Sequence, residues 1–468
     1  MKKSNGRAQW SSKIGFILAA VGSAVGLGNI WKFPGKAYDG GGGAFILIYV
    51  AIVLLIGMPV MLSELALGRN TQSDTVGTFR KLNKKFTWVG YIGVIVAFII
   101  VCYYSHIGGW VLRYIAGYII EPNKIFADPK AYCYNMLGYS IADGSSFIPW
   151  TAIIFAAIFI AANAIIIIKG VEGGIEKFNK VGMPALFAIL IILLVRVITM
   201  DGTGEGLRYM MTVDFSNVTF DTLLTALGQA FYSLSLGMAI MTTYGSYVPK
   251  SENLAKNTAL ICIMDTIVAL VSGFIVVPAV FATVGSESVG KGALFAFVSL
   301  AGVFEQMPGG AFFGMMFYLL LFFAALSSCI SIIEGVVAFL TEQFGCKRKS
   351  ITIWLCIAML VIGSVYTSTQ AAFGIKGIWF DFKNGVTYPA FCDFMEFITD
   401  RVMIPLCALG ITVFVGWFWK PQSAVAEVES SGVKFKLAGV YGFLIKYVVP
   451  VSITVILAVS IITGTTLS

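Results

Sequence analysis

The chain has 468 residues, 58% of them hydrophobic and only 12% charged, with 50 glycines and a net charge of +8. Soluble proteins carry about 25% charged residues and under about 50% apolar ones. Here 32 basic and 24 acidic side chains are too few to coat a water-facing surface. A soluble enzyme, a nucleic-acid binder and a disordered scaffold are therefore excluded, and the partner of this surface is the lipid bilayer.

A membrane helix needs about 20 apolar residues. Eleven segments qualify, at roughly 14–38, 44–67, 88–120, 148–168, 181–200, 222–247, 255–284, 310–341, 350–370, 393–419 and 440–463. The connections between them are too short for a soluble domain, so residues 1–468 read as one transmembrane unit. The first apolar run is too long and too rich in glycine for a signal peptide. Basic residues favour the cytoplasmic side. With the N-terminus inside, 21 of them fall in inner segments against 9 in outer ones. Eleven spans then put Ser468 outside, in a multi-pass protein of the cell inner or plasma membrane. The segment 421–434 reads as a plain inner linker.

In chain order, the first span has Gly22, Gly26 and Gly28 at mid-depth. Each mid-helix glycine weakens a helix by roughly 1 kcal/mol. Gly22 and Gly26 also form a small-xxx-small pair, which suits close helix packing. The sixth span is interrupted in the same way, at Ser233, Ser235 and Gly237. The two lie five spans apart, in corresponding places of successive halves. That pairing points to an inverted-repeat transporter with its site at the midplane. Unwound backbone is tolerated in lipid only where it lines a cavity.

Four ionisable groups lie deep: Glu64, Arg113, Asp265 and Glu334. Each is expensive in a membrane and so is a candidate for function. Asp265 needs a cation or a proton, unless it serves only a buried hydrogen bond. Glu64 and Glu334 suit the capping of amides freed by broken helices. Arg113 suits an outer-interface position, reaching out of the bilayer. Ser327 and Ser328 either bond back to their own helix or offer hard oxygen ligands to Na+. His106, the only histidine, reads as a packing residue. There is no HExxH, GxSxG or phosphate-binding loop, so no enzyme is expected. Cys133 and Cys392 are the only cysteines in outer connections, and nothing in the sequence supports a bond between them.

The run "GSAVGLGNIWKFP" at 22–34 resembles the neurotransmitter:sodium symporter family, in particular its bacterial amino-acid transporters. The likeness continues through "GGGGAFILIY" (40–49), "GMPVMLSELALGR" (57–69), "GQAFYSLSLGM" (228–238), "LLFFAALSS" (320–328) and "DFMEF" (393–397). It implies an all-α membrane protein with the LeuT-type 5+5 inverted repeat. The first repeat would span about 14–200 and the second about 222–419, with an extra helix at about 440–463 and helices 1 and 6 discontinuous.

The resemblance also implies two sodium sites. The first would use Ala24, Asn29 (through its amide oxygen), Ser233 and Asp265, together with the substrate carboxylate. The second would use the carbonyls of Gly22, Val25 and Ala324 with the hydroxyls of Ser327 and Ser328. The substrate carboxylate would rest on Leu27, Gly28 and Tyr104, and its ammonium on Ala24, Tyr232, Ser233 and Ser235. Its side chain would lie among Ile100, Tyr232, Met238, Ser328, Ser331 and Ile332. Lys32, Gln229 and Glu396 would form an outer gate, and Arg7, Trp10 and Glu342 an inner one.

Both gates depart from the family pattern. Lys32 and Glu396 stand where Arg and Asp are usual, and Lys cannot make the bidentate fork of Arg. Glu342 likewise stands for Asp. Gly26 stands where monoamine carriers have an aspartate, so the substrate must bring its own carboxylate. The resemblance thus implies sodium-coupled import of neutral apolar or aromatic amino acids, independent of chloride because Asp265 supplies the negative charge. Ser331 and Tyr232 hint at tolerance for a substrate hydroxyl. An osmolyte carrier and a non-transporting amino-acid sensor are the rival readings. A monomer or weak homodimer is expected.

Overall fold

In the computed structural model, residues 8–216, 218–285, 295–369 and 391–463 are described, with side chains omitted at 391–393 and 460–463. The fold is helical throughout; among the described residues the only β features are the isolated bridges Gly42–Val213 and Tyr139–Ser146.

The first apolar run forms α1 (Lys13–Ala24) and α2 (Gly28–Asp39), which meet at a 52° bend. Ser12 caps α1 by accepting from Gly15 N. Next come α3 (Gly43–Thr71), α4 (Thr75–Leu82), α5 (Lys84–Ile120), α6 (Trp150–Ile168) and α7 (Val171–Ile198). Asp74 caps α4, accepting from Val76 N and Gly77 N. In the second half, α8 (Phe220–Ser233) and α9 (Ile240–Gly245) flank a non-helical stretch at 234–239. They are followed by α10 (Leu254–Thr283), α11 (Gly310–Phe344), α12 (Arg348–Thr369), α13 (Phe394–Phe418), α14 (Pro421–Glu429) and α15 (Ala438–Val459).

Among the described residues, nine helices are long and apolar enough to cross a membrane, or ten with the bent pair α1–α2 counted as one. The residues expected as a further span, 222–247, hold α8 and α9, neither of which is long enough alone.

Two features show the intended solvent. Large apolar side chains are exposed one turn apart, as at Ile154 and Ile158, Ile191 and Val195, Ile263 and Ile267, and Ile357 and Val361. Such faces mark surfaces that meet lipid or another protein. At the centre, α11 is buried over 83% of its apolar window and packs along α5.

At the outer end, the Tyr114 hydroxyl donates to Phe297 O at 2.9 Å and the Tyr318 hydroxyl to Ala296 O at 2.8 Å. These two bonds hold the short helix Phe295–Glu305 over the bundle. Arg113 pairs with Glu121, which also pairs with Lys124. His106 is fully buried beside Gly363, with its ring nitrogens on Cys102 O and Ser364. Cys133 is a buried free thiol, and the side chain of Cys392 lies outside the described residues.

Two sequence expectations fail here. The segment after 420 is not a plain linker: α14 inserts Glu427, 5% exposed, against the fully buried Arg69 at the end of α3. Arg69 also donates to Glu252 O at 2.7 Å and to Glu427 O. A buried guanidinium requires such acceptors, since stranding it costs several kcal/mol. Glu334 caps no broken helix either. It accepts from the Tyr247 hydroxyl at 2.8 Å and pairs with Arg348.

Candidate substrate and ion site

The interruption between α1 and α2 exposes backbone. A helix leaves its last four carbonyls and first four amides without internal partners. The Val25 N–H closes on Val21 O, so the carbonyls of residues 22–25 are left to other groups. Ser328 on α11 supplies one: its Oγ lies 3.3, 3.2 and 3.2 Å from the carbonyls of Gly22, Ser23 and Val25. The Ser327 hydroxyl sits on Phe323 O and Ala324 O at 2.8 and 3.1 Å. The five groups expected at the second sodium site therefore belong to two adjoining clusters of oxygens from α1 and α11.

The α8–α9 interruption is strained. Ser235, Gly237 and Ala239 have φ of 54°, 72° and 63°. Such left-handed conformations in non-glycine residues persist where surrounding structure over-determines them, and they cluster at functional sites. Glu64 supplies part of that support, accepting from Gly237 N at 2.8 Å. This is the capping role its depth suggested. Ser235 Oγ donates to Ser23 O at 2.9 Å and ties the two interruptions together.

Asn29, Ser233 and Asp265 also meet, all three buried. Ser233 Oγ donates to Asp265 Oδ2 at 2.7 Å, and Asn29 Nδ2 to Asp265 Oδ1 and Ser233 Oγ at 2.8 Å each. The orientation of Asn29 differs from expectation. Its amide oxygen accepts from Gly26 N at 3.1 Å instead of facing the cluster. A carboxylate only accepts, so the neighbouring amide turns its NH2 toward it. Among the described residues, the Ala24 carbonyl makes no hydrogen bond to this cluster.

Between the interruptions lies a cavity lined by Ser23, Ala24, Gly26, Leu27, Gly28, Asn29, Ile100, Tyr104, Tyr232, Ser235, Met238, Ser328 and Ile332. None of these residues is charged. Leu27 N donates to Tyr104 Oη at 3.2 Å, placing an amide and a phenol at one end of the cavity. An ideal Cβ on Gly26 would stand 2.9 Å from Ser328 Oγ and 3.1 Å from Tyr104 Oη. One on Gly28 would stand 2.6 Å from the Tyr232 ring. The two glycines keep open the space where the two half-helices face each other.

Two residues expected at the substrate do not line the cavity. Ser233 belongs to the Asp265 cluster. Ser331 lies behind the wall, accepting from Ser23 Oγ at 2.8 Å and donating to Ser328 O at 2.7 Å. Its O–H is already donated and it does not line the cavity, so it offers no donor to a substrate hydroxyl there. Ser23, in turn, lines the cavity although the sequence did not single it out.

Above the cavity, Lys32 Nζ lies 4.3 Å from the centre of the Tyr232 ring and 3.5 Å from Asp400 Oδ2. Asp400 is the residue that sequence reasoning missed. It sits one helical turn beyond Glu396, and that i+4 spacing was its only signal. Glu396 accepts from the Tyr366 hydroxyl at 2.8 Å, and Gln229 Nε2 donates to Gly28 O at 3.2 Å.

At the inner end, Trp10 Nε1 donates to Tyr244 O at 3.2 Å, and its ring stacks edge-on with Tyr244 and Tyr247. Glu342 accepts from Asp74 N at 2.8 Å. Burial holds the Asp74 carboxyl above its usual range, and the nearby Glu342 charge adds to this. Arg7 lies outside the described residues.

The cavity thus lies between a bent helix pair and a non-helical stretch, in a bundle of helices long and apolar enough to cross a membrane. The family model "Sodium:neurotransmitter symporter family" matches residues 7–122 and 134–468. The sodium-dependent transporter YhdH of Bacillus subtilis is 34% identical over 453 residues, covering 96% of each chain. A sodium-dependent transporter of Haemophilus influenzae is 32% identical, covering 96% of this chain and 97% of its own. The dog sodium- and chloride-dependent taurine transporter is 25% identical over 80% of this chain and 70% of its own. Among solved structures, MhsT in complex with L-phenylalanine superposes with a TM-score of 0.84 at 34% identity, covering 97% of this chain and 99% of that one. The chain belongs to the sodium:neurotransmitter symporter family and is a sodium-dependent symporter, not an enzyme.

Proposed function

We propose that this protein imports neutral apolar or aromatic α-amino acids with sodium, by alternating access between two five-span repeats at about 14–200 and 222–419. An eleventh span closes the chain, with the N-terminus inside and the C-terminus outside. The observation that carries the substrate class is the cavity wall: beside the Leu27 amide it holds two phenols, a few hydroxyls, the Asn29 amide and apolar side chains, and none of its lining residues is charged. The substrate must therefore bring both of its charges. Its carboxylate fits at Leu27, Gly28 and Tyr104, and its ammonium at the carbonyl end of α1. Ile100, Met238 and Ile332 offer its side chain an apolar bed, and methionine adapts to several shapes. The likeness to MhsT holding L-phenylalanine supports the same class.

Two sodium ions complete the reading, one at Asn29, Ser233 and Asp265 with the substrate carboxylate, the other at the Ser327–Ser328 cluster. Asp265 brings a fixed negative charge to the first, so transport needs no chloride. Two sodium ions with a zwitterion move two charges, about 4.6 kcal/mol at about 100 mV. Gating rests on Lys32 over Tyr232 outside and Trp10 with Glu342 inside.

The test is a thermal-shift screen of the twenty amino acids and taurine, each in sodium and in potassium. Stabilisation by Leu, Ile, Met, Phe or Trp in sodium alone is expected. If taurine stabilises and no apolar amino acid does, the substrate class is wrong. Stabilisation that is equal in potassium would refute sodium coupling at this site.

A further inference from the structure

One buried oxygen near the second cluster has no partner. Asn179, on α7, is fully buried, and its Nδ2 donates to Ile175 O at 2.9 Å. A carbonyl only accepts, so that bond fixes which end of the amide is which. The free end is therefore Oδ1, which has no hydrogen-bond partner. It points at α1: an ideal Cβ on Gly22 would stand 2.2 Å from Asn179 Oδ1 and 3.0 Å from Ser327 Cβ. The amide oxygen and Ser327 thus approach the same face of Gly22, whose carbonyl lies 3.3 Å from Ser328 Oγ. Only a residue without a side chain lets α7 come this close.

An unsatisfied buried acceptor costs about 1–3 kcal/mol. Asn is also a poor choice for a position that packing alone would fill. One turn closer to the inner end, Glu176 on the same helix accepts from Ser11 N, Ser11 Oγ, Ser12 Oγ and Lys180 Nζ at 2.7–2.8 Å. Those contacts clasp the start of α1 to α7 and close the seam below Asn179.

We propose that Asn179 Oδ1 is a further sodium ligand, contributed by α7 to the inner side of the second site. It is the first oxygen a sodium ion meets when it leaves inward, once the Glu176 clasp on Ser11 and Ser12 opens. The inference rests on the sodium reading given above, which places an ion at Gly22, Val25, Ala324, Ser327 and Ser328.

The experiment is a sodium titration of thermal stability on the purified full-length protein, without amino acid and at constant ionic strength. The first site uses the substrate carboxylate, so this titration reads the second. Asn179→Leu keeps the volume and removes the oxygen; its half-saturating sodium concentration should rise about tenfold. Asn179→Asp keeps the oxygen and adds charge; its half-saturating concentration should fall. Should the leucine variant fail to fold, the aspartate variant decides alone, and an unchanged or higher value overturns the proposal. If Ser328→Ala shifts the titration while both Asn179 variants match the parent, the second site stands and Asn179 is not part of it. If sodium stabilises the parent no more than potassium does, the sodium site itself falls, and this inference with it.

Discussion

Replacing Gly26 by aspartate tests the account of substrate choice at one position. The added Cβ meets Ser328 Oγ at 2.9 Å and Tyr104 Oη at 3.1 Å. Both are ends of side chains, so part of the clash is relieved by rotation, and Gly26→Ala measures what remains. The carboxylate of the aspartate is a separate effect. It enters the end of the cavity where Leu27 N and Tyr104 would hold the substrate carboxylate. Two like charges about 4 Å apart at an effective dielectric of about 20 repel by about 4 kcal/mol. At about 1.4 kcal/mol per factor of ten, that is nearly three orders of magnitude in affinity. Displacement of radiolabelled phenylalanine in saturating sodium, compared across parent, Gly26→Ala and Gly26→Asp, separates the two effects. The alanine variant should lose several-fold and the aspartate variant several hundred-fold more. Phenethylamine, which lacks the carboxylate, should bind the aspartate variant better than the parent. Equal affinities of the alanine and aspartate variants for phenylalanine would refute the placement of the substrate carboxylate.

Uptake by the parent in vesicles should be unchanged when chloride is replaced by gluconate, whereas Asp265→Asn should lose most uptake and regain part of it with chloride; a chloride requirement in the parent contradicts the role given to Asp265. Glu427→Ala strands the buried Arg69 guanidinium and should cost about 3–5 kcal/mol in chemical unfolding, while Arg69→Met with Glu427→Leu should recover most of it; equal losses in single and double variants count against the pair. At the outer end, hydrogen bonds from Lys124 and then Arg113 lower the Glu121 carboxyl from 4.5 to about 2. A lowered carboxylate stabilises the fold above its unfolded value and loses that contribution as pH falls through the folded one. The melting temperature should therefore drop between pH 4.5 and 2, and less so in Glu121→Gln; superimposable profiles would remove Glu121 from the account.

Much of the site was legible in sequence because its signals are local. Glycines and serines at mid-depth of a membrane helix mark an interruption wherever the helix later packs. Glu64 was readable as a cap because a buried carboxylate needs a donor, and an interrupted helix nearby offers one. Glu334 carried the same signal and was misread: its partners Tyr247 and Arg348 satisfy it without any freed amide. Depth alone does not distinguish two donors.

Composition, apolar run length and the basic bias are summed over many residues, so the sequence by itself determined that this is a multi-span helical membrane protein and set the expectation for its span count and orientation. The tertiary structure decided which groups meet. Asn29 reaches Ser233 across 204 positions and Asp265 across 236. Lys32 finds Asp400, one turn beyond Glu396, α14 carries Glu427 back to Arg69, and Asn179 turns a bare oxygen toward Gly22. Helical periodicity records which face of a helix is buried, but not the helix it is buried against. That is set when the bundle packs, by where glycine lets two backbones approach.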